Sequence, residues 1–261
     1  MHDPETSVII PCWNAANVIA DTLEALLRFS REKESAYGGV EILVVDDGST
    51  DSTAGIVRGR FPSVRLIQMA RNAGKGAAVR RGMLEARGTC RVFVDADLPF
   101  GAEAIERIID PLRNENMDAC MGKRVPTDQW PSVHRTRIRL LASRVFSSLV
   151  AVLTGDFSHD TQCGLKGFRN NVAEYLFGAS TIDGFAFDVE IVYLVLLNEL
   201  RFRHVPVHTI ASQYTTVSIL RNGPGMLRDT LRVFLNHWRR RYPLMSPPPE
   251  TPSPMEQSEQ R

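Results

Sequence analysis

Along the first half of the chain, short runs of consecutive apolar residues alternate with stretches in which apolar positions recur every three or four residues. Ser7–Ile10 (closed by Pro11), Glu41–Val45, Val64–Met69 and Cys90–Val94 are of the first kind and read as buried strands. Between them the helical pattern runs from Asn17 or Asp21 to about Arg31, from a cap at Ser52 or Thr53 to Phe61-Pro62, and from Gly76 to Ala86 ahead of Gly88. A helix near Ala102–Leu112 and a strand near Ala119–Met121 continue the alternation. This order predicts a single α/β domain with a mainly parallel sheet flanked by helices.

The second half loses that rhythm. It predicts a helix over Val133–Leu153, a loop carrying Asp160-Thr161-Gln162-Cys163-Gly164, and helices over Val172–Phe177 and Asp188–Leu200. Phe202–Val207 reads as an edge strand, because Pro206 cannot donate to a ladder. A last helix spans about Met226–Arg241, and from Pro243 the chain turns rich in Pro, Ser, Glu and Gln. The expected organisation is a folded domain over 1–242 and a disordered tail over 243–261, with no internal repeat.

Composition adds little to this picture except by exclusion. With 43% hydrophobic and 23% charged residues the chain reads as a soluble globular protein, and its net charge of +1 gives no global reason to expect nucleic acid. Arginines gather at Arg135, Arg137, Arg139 and Arg144 and again at Arg239–Arg241, either as solvated helix faces or as a basic rim for phosphate or an anionic membrane. Cys12, Cys90, Cys120 and Cys163 form no CxxC pair and are expected to be reduced core residues. No signal peptide is visible, and the longest apolar stretches fall well short of the ~20 residues of a spanning helix. The expected location is cytoplasmic, peripheral at a membrane surface.

Ligands of open parallel sheets sit beyond the carboxyl ends of the strands. Here Asp46-Asp47 follows the second strand, and Asp95 with Asp97 follows the fourth. Asp is an ordinary turn former, but two acidic clusters at matching strand ends favour a site, with Asp46 and Asp47 expected to be exposed at the rim. The D-x-D spacing of Asp95 and Asp97 suits a hard divalent cation, Mg²⁺ or Mn²⁺, that leaves positions for water and phosphate oxygens. Asn72-Ala73-Gly74-Lys75-Gly76 precedes a helix, where amides and a lysine could meet phosphate, although it is neither a Walker loop nor a dinucleotide fingerprint. His134, His159, His204 and His208 show no metal-ligand spacing, and Cys163 has no neighbouring base.

The segments SVIIPCWNA, VVDDGSTD, NAGKGAAVRRGM and FVDADLPF resemble successive signatures of family 2 glycosyltransferases with the GT-A fold. MGKR (121–124), DTQCGLKGF (160–168) and GFAFDVEI (184–191) resemble the branch that makes polyprenyl-phosphate sugars, such as dolichyl-phosphate glucosyl- and mannosyltransferases. The likeness runs from Ser7 to Arg232 and implies a Rossmann-like sheet with C-terminal helices on the acceptor side. By resemblance, Pro11, Trp13, Asp46 and Asp47 would line the base and ribose pocket, and Lys75 would lie near the uridine or diphosphate. Asp95 and Asp97 would hold the metal and the diphosphate; Arg124, Arg139 and Ser143 would bind an acceptor phosphate, with Arg137 and Arg144 as close competitors of the last two.

Three departures stand out. Ala15 replaces a commonly acidic residue, Ile219 stands where relatives often place a lysine, and no C-terminal membrane helices follow. The implied reaction is an inverting, metal-dependent hexosyl transfer from a nucleotide sugar, UDP-glucose first and GDP-mannose second, to a polyprenyl phosphate. An ionised phosphate acceptor needs cations such as Arg124 and Arg139 and no general base. The alternative is a soluble transferase acting on a hydroxyl of a small molecule or glycan, for which Asp160 would be the catalytic base, with Asp188 or Glu190 behind it.

Overall fold

The computed structural model describes residues 4–125, 161–210 and 219–245. Among them are seven strands: β1 (Thr6–Cys12), β2 (Val40–Asp46), β3 (Arg65–Gln68), β4 (Cys90–Val94), β5 (Ala119–Arg124), β6 (Leu165–Arg169) and β7 (Phe202–Val207). They form one sheet in the order β3-β2-β1-β4-β6-β5-β7. β6 runs antiparallel to both β4 and β5, and every other pairing is parallel. β7 lies at an edge, where the missing amide of Pro206 leaves no ladder bond unmade.

The helices are α1 (Ile19–Tyr37), α2 (Thr53–Arg60), α3 (Lys75–Glu85), α4 (Glu103–Asn114), α5 (Asn170–Ala179), α6 (Phe187–Leu197) and α7 (Ile219–Trp238). Alternation along the central strands divides them into two layers. Val8, Ile10, Ile42, Val44, Val92 and Val94 face α1, α2 and α4; Ile9, Leu43, Val45 and Phe93 face α3, α5 and α6. A helix layer on each side keeps the central strands β1, β2 and β4 dry, which is why they read as mainly apolar runs. All four cysteines are free and buried, as expected of reduced core residues.

Two helix expectations need correction, and β6 falls just past the predicted loop, in residues 165–169 for which the pattern predicts no element. α7 begins at Ile219 rather than near Met226 and ends at Trp238. Neither Asn17 nor Asp21 caps α1, which Val18 precedes; Ser52 does stand at the N-cap of α2, as expected, though without a side-chain cap bond. The Met245 amide donates to Asn198 Oδ1 at 2.6 Å and ties the last described residue to the end of α6. The predicted helix over 133–153 lies outside the described residues.

Candidate active site

The carboxyl ends of β1, β2, β4 and β5 meet at one rim of the sheet, and β6, running the other way, starts there. Pro11 is buried near the end of β1, and Trp13, just beyond it, is 49% exposed. Asp46 ends β2 opposite Cys12, and the Asp47 amide donates to the Cys12 carbonyl at 2.8 Å. Both aspartates are buried, which overturns the expectation of exposed carboxylates. Asp46 accepts from the Ser49 amide (3.0 Å) and Gln68 Nε2 (3.2 Å). Asp47 accepts from the amides of Ala73 and Gly74, both at 2.8 Å, and so ties the second acidic turn to the loop before α3. Three of these donors are backbone amides of turns outside the ladder, which the carboxylates satisfy. Burial raises the Asp47 carboxyl above its ordinary value, against the pull of those two amides.

Residues with no site role expected from the sequence join the first two loops. Ser49 Oγ accepts from the Asn14 amide, Asn14 Oδ1 from the Thr50 amide, Thr53 Oγ1 from the Ala15 amide and Asp51 Oδ2 from the Ala16 amide, all at 2.8–3.0 Å. Burial opposes the charge of Asp51, but the Thr53 hydroxyl and the surrounding amides hold its carboxyl below the usual value. The lacing holds Asn14 at φ 52°, in the left-handed region that Asn tolerates better than most residues. Ala15, at the position of the missing acid, is buried in this arrangement.

Lys75 opens α3 and donates through Nζ to Asp95 Oδ1 at 2.5 Å. Burial works against its charge, but Asp95, Asp188 and Asp97 outweigh that and raise the ammonium above its ordinary value. Gly74, at φ 111°, sets up this approach, and a Cβ there would stand 2.4 Å from the Asp183 carbonyl oxygen. Beyond Asp95 the chain turns tightly, with the Leu98 amide on the Asp95 carbonyl (3.0 Å) and Leu98 itself at φ 44°, a conformation that a leucine adopts only when its surroundings force it. Burial and then Asp95 raise the Asp97 carboxyl, and Lys75 offsets this only in part.

Residues 161–164 of the second-half motif reach the same place because β6 is antiparallel. Gly164 donates nothing but room: a Cβ on it would fall 1.8 Å from Asp95 Oδ2, and its carbonyl accepts the Asp95 amide at 3.2 Å. Next in line, Lys166 is fully buried on β6 and donates to the Cys163 carbonyl (2.8 Å) and to Asp188 Oδ1 on α6 (2.5 Å). Gln162 Nε2 is buried there without a hydrogen-bond partner. Neither Asp188 nor Glu190 fits the reserve role of general base. Asp188 is buried against Lys166, and buried Glu190 accepts from the amides of Thr181 and Ile182 and from the hydroxyls of Thr181 and Tyr242.

Residues 7–177 match glycosyl transferase family 2. The chain belongs to that family. A dolichyl-phosphate beta-glucosyltransferase of Trichomonas vaginalis is 32% identical over 77% of this chain and 63% of its own length. One of Dictyostelium discoideum is 30% identical over 89% of this chain and 76% of its own. Among solved structures, glucosyl-3-phosphoglycerate synthase from Mycobacterium tuberculosis, in complex with Mn²⁺, UDP and glucosyl-3-phosphoglycerate, has the same fold. Its TM-score is 0.66 at 17% identity, covering 93% of this chain and 81% of that one. The mixed, mainly parallel sheet with its two helix layers is thus a GT-A fold.

In this glycosyl transferase family 2 chain, Lys75, Asp95, Asp97 and Gly164 converge, and Asp47 joins them through the loop before α3. Arg124 ends β5 at the same rim and is exposed. β5 lies two strands from β4, so Arg124 stands roughly 10 Å across the sheet from the Asp95 strand end. Asp160, Arg139 and Ser143 lie outside the described residues. Among those described, no cluster of three or more His, Cys, Asp or Glu side chains forms a full metal cage. Two hard carboxylates beside a single lysine suit instead a cation that draws its remaining ligands from a diphosphate and water.

Proposed function

We propose that this enzyme transfers a hexose, from UDP-glucose first and GDP-mannose second, to the phosphate of a polyprenyl phosphate with inversion at the anomeric carbon. The observation that carries the proposal is the meeting of Lys75, the Asp95/Asp97 pair and the loop that ends in Gly164 at one rim. The first three are suited to a departing diphosphate, and the loop belongs to a motif that resembles one of dolichyl-phosphate glucosyltransferases. Relatives that bear that name align over most of the chain, which supports the same acceptor class. The reading puts the enzyme in the cytoplasm, at a membrane surface where the acceptor presents its head group.

An acceptor phosphate oxygen attacks the anomeric carbon. The bond from that carbon to the diphosphate breaks, and its electron pair leaves with the nucleotide. No proton moves, because the acceptor is already ionised, so the protein has to orient two anions rather than supply a base. Arg124, with Arg139 and Ser143, holds the acceptor phosphate; Pro11 and Trp13 border the base; Lys75 presents its ammonium to the diphosphate. Asp95 and Asp97 would hold Mg²⁺ or Mn²⁺, which stabilises negative charge on the leaving diphosphate.

The test is transfer from radiolabelled UDP-glucose or GDP-mannose to a short polyprenyl phosphate, with Mn²⁺, with Mg²⁺ and with excess EDTA. Label should move to the organic phase with one nucleotide sugar and should vanish with EDTA. Label confined to a water-soluble glycoside, or full activity in EDTA, would overturn the acceptor or the metal part of the proposal respectively.

A further inference from the structure

Helix α7 is amphipathic the wrong way round for a helix packed on a protein. At 100° per residue its side chains from Leu227 onward fall into three sectors. The sector turned toward the sheet is mostly polar: Asp229, Thr230 and Asn236 are buried there around Val233. Asn236 Nδ2 donates to Thr181 Oγ1 at 3.1 Å, and the Thr230 hydroxyl donates back to the Met226 carbonyl at 2.8 Å. The sector turned outward is apolar. Leu227, Leu231, Phe234, Leu235 and Trp238 are 40–79% exposed and share an arc about 100° wide. Directly beside that arc, Arg228, Arg232 and Arg239 form a row of exposed guanidinium groups, continued by Arg240 and Arg241.

We propose that this outward face docks on an anionic phospholipid surface, with α7 lying in the plane of the interface. An apolar arc flanked by arginines, with a tryptophan at its end, is what the boundary between acyl chains and head groups accepts. Leucine and phenylalanine enter the hydrocarbon, while the arginine stems run along the surface and carry their charge to the phosphates. A second copy of the chain fits less well. From Leu227 onward the one acid of α7 is Asp229, which Arg228 engages at 3.1 Å, so pairing two such faces would set Arg232 and Arg239 of each copy near one another with no acid of α7 left to compensate them. No helix among the described residues is long and apolar enough to cross a bilayer, so docking on its surface is the contact the fold can make.

The opposite, buried face of α7 packs on the segment beside the candidate site. Asp229 Oδ2 packs where a Cβ on Gly184 would stand, at 2.8 Å, and the neighbouring Asp183 carbonyl accepts the Ala77 amide of α3 at 3.2 Å. A docked α7 therefore holds the segment that seats Lys75 close to the membrane. The docking does not depend on the proposed acceptor, and vesicles free of polyprenyl phosphate test it alone.

The full chain is sedimented with vesicles of phosphatidylcholine, with and without phosphatidylserine, beside the variant L231Q/F234Q/W238Q and the variant R232E/R239E. The wild type should bind the anionic vesicles, more weakly as salt rises from 0.1 to 1 M and the screening length falls from ~10 to ~3 Å. The glutamine variant should bind at least ~30-fold more weakly with an unchanged melting temperature and unchanged UDP-glucose binding. The glutamate variant should lose the preference for anionic lipid. Wild type that stays in solution at low salt overturns the proposal, as does a glutamine variant that binds like wild type. A wild-type dimer that the glutamine variant dissolves assigns the face to a second copy instead. A large loss of melting temperature in that variant shows that the chain's own residues cover it.

Discussion

Asp97 is a carboxylate whose surroundings resist its charge: burial and Asp95 raise it, and Lys75 compensates in part. Two consequences follow for Asp97→Asn, and they point in opposite directions. Without the second anionic oxygen ligand, transfer should fall at least ~100-fold, as when other electrostatic groups at a leaving group are removed. Stability should rise. Between the ordinary value of 3.8 and the raised native one, the folded chain holds a proton that the unfolded chain has released, so stability drops as pH climbs through that window. The asparagine removes this penalty, and the variant should melt above wild type near pH ~7 and match it near pH ~3. Equal pH profiles for the two proteins would remove the electrostatic account. Gln162 offers a parallel case without charge. A buried amide nitrogen with no partner costs about 1–3 kcal/mol. Gln162→Met should therefore leave stability unchanged or higher while lowering transfer, if that nitrogen is kept for substrate; unaltered kinetics would make it a packing residue.

Among the elements, β6 is where sequence and structure part company. The parallel strands β1, β2 and β4 are legible because each is a buried, mainly apolar run between two helix layers, and the ends of β2 and β4 led directly to Asp46, Asp47, Asp95 and Asp97. Leu165–Arg169 has no such run: Lys, Gly and Arg interrupt it, and nothing local says that the lysine is fully buried. Its burial is explained only by Asp188 on α6 and the Cys163 carbonyl, partners 22 and 3 residues away. The burial of Asp46 and Asp47 was unreadable for the same reason, since the amides they accept belong to turns whose approach no periodicity encodes. Lys166→Met should cost about 3–5 kcal/mol, because Asp188 is left charged in a dry site. Adding Asp188→Leu should recover most of that in a denaturant titration. Transfer should stay impaired in the double variant, because the tie from Lys166 to the turn on Asp95 is gone. Full recovery of both would reduce the pair to a folding device.

At the scale of the whole molecule, reversing one strand brings a motif from the second half onto a site built by the first. Parallel β4 delivers Asp95 at its carboxyl end, antiparallel β6 brings Gly164 to that end from the other direction, and β5 sets Arg124 at the same level two strands away. The donor side is thus assembled from loops that lock one another, whereas Arg124, which the proposal assigns to the acceptor, ends an adjoining part of the same rim with its side chain exposed. That asymmetry decides which variants separate the two chemistries weighed from the sequence. A charge-assisted contact to phosphate is worth on the order of 1.5–3 kcal/mol, or about 10- to 150-fold. Arg124→Ala should lower transfer to a polyprenyl phosphate by that range with donor affinity near wild type, because the locked donor loops do not depend on the end of β5. Arg139→Ala should behave in the same way. Asp160→Asn should do less harm, since an ionised phosphate surrenders no proton. With Asp188 and Glu190 both buried and engaged, Asp160 is the one base left of the three weighed for a hydroxyl acceptor. Loss of transfer in Asp160→Asn with both arginine variants active would therefore replace the phosphate acceptor by a hydroxyl.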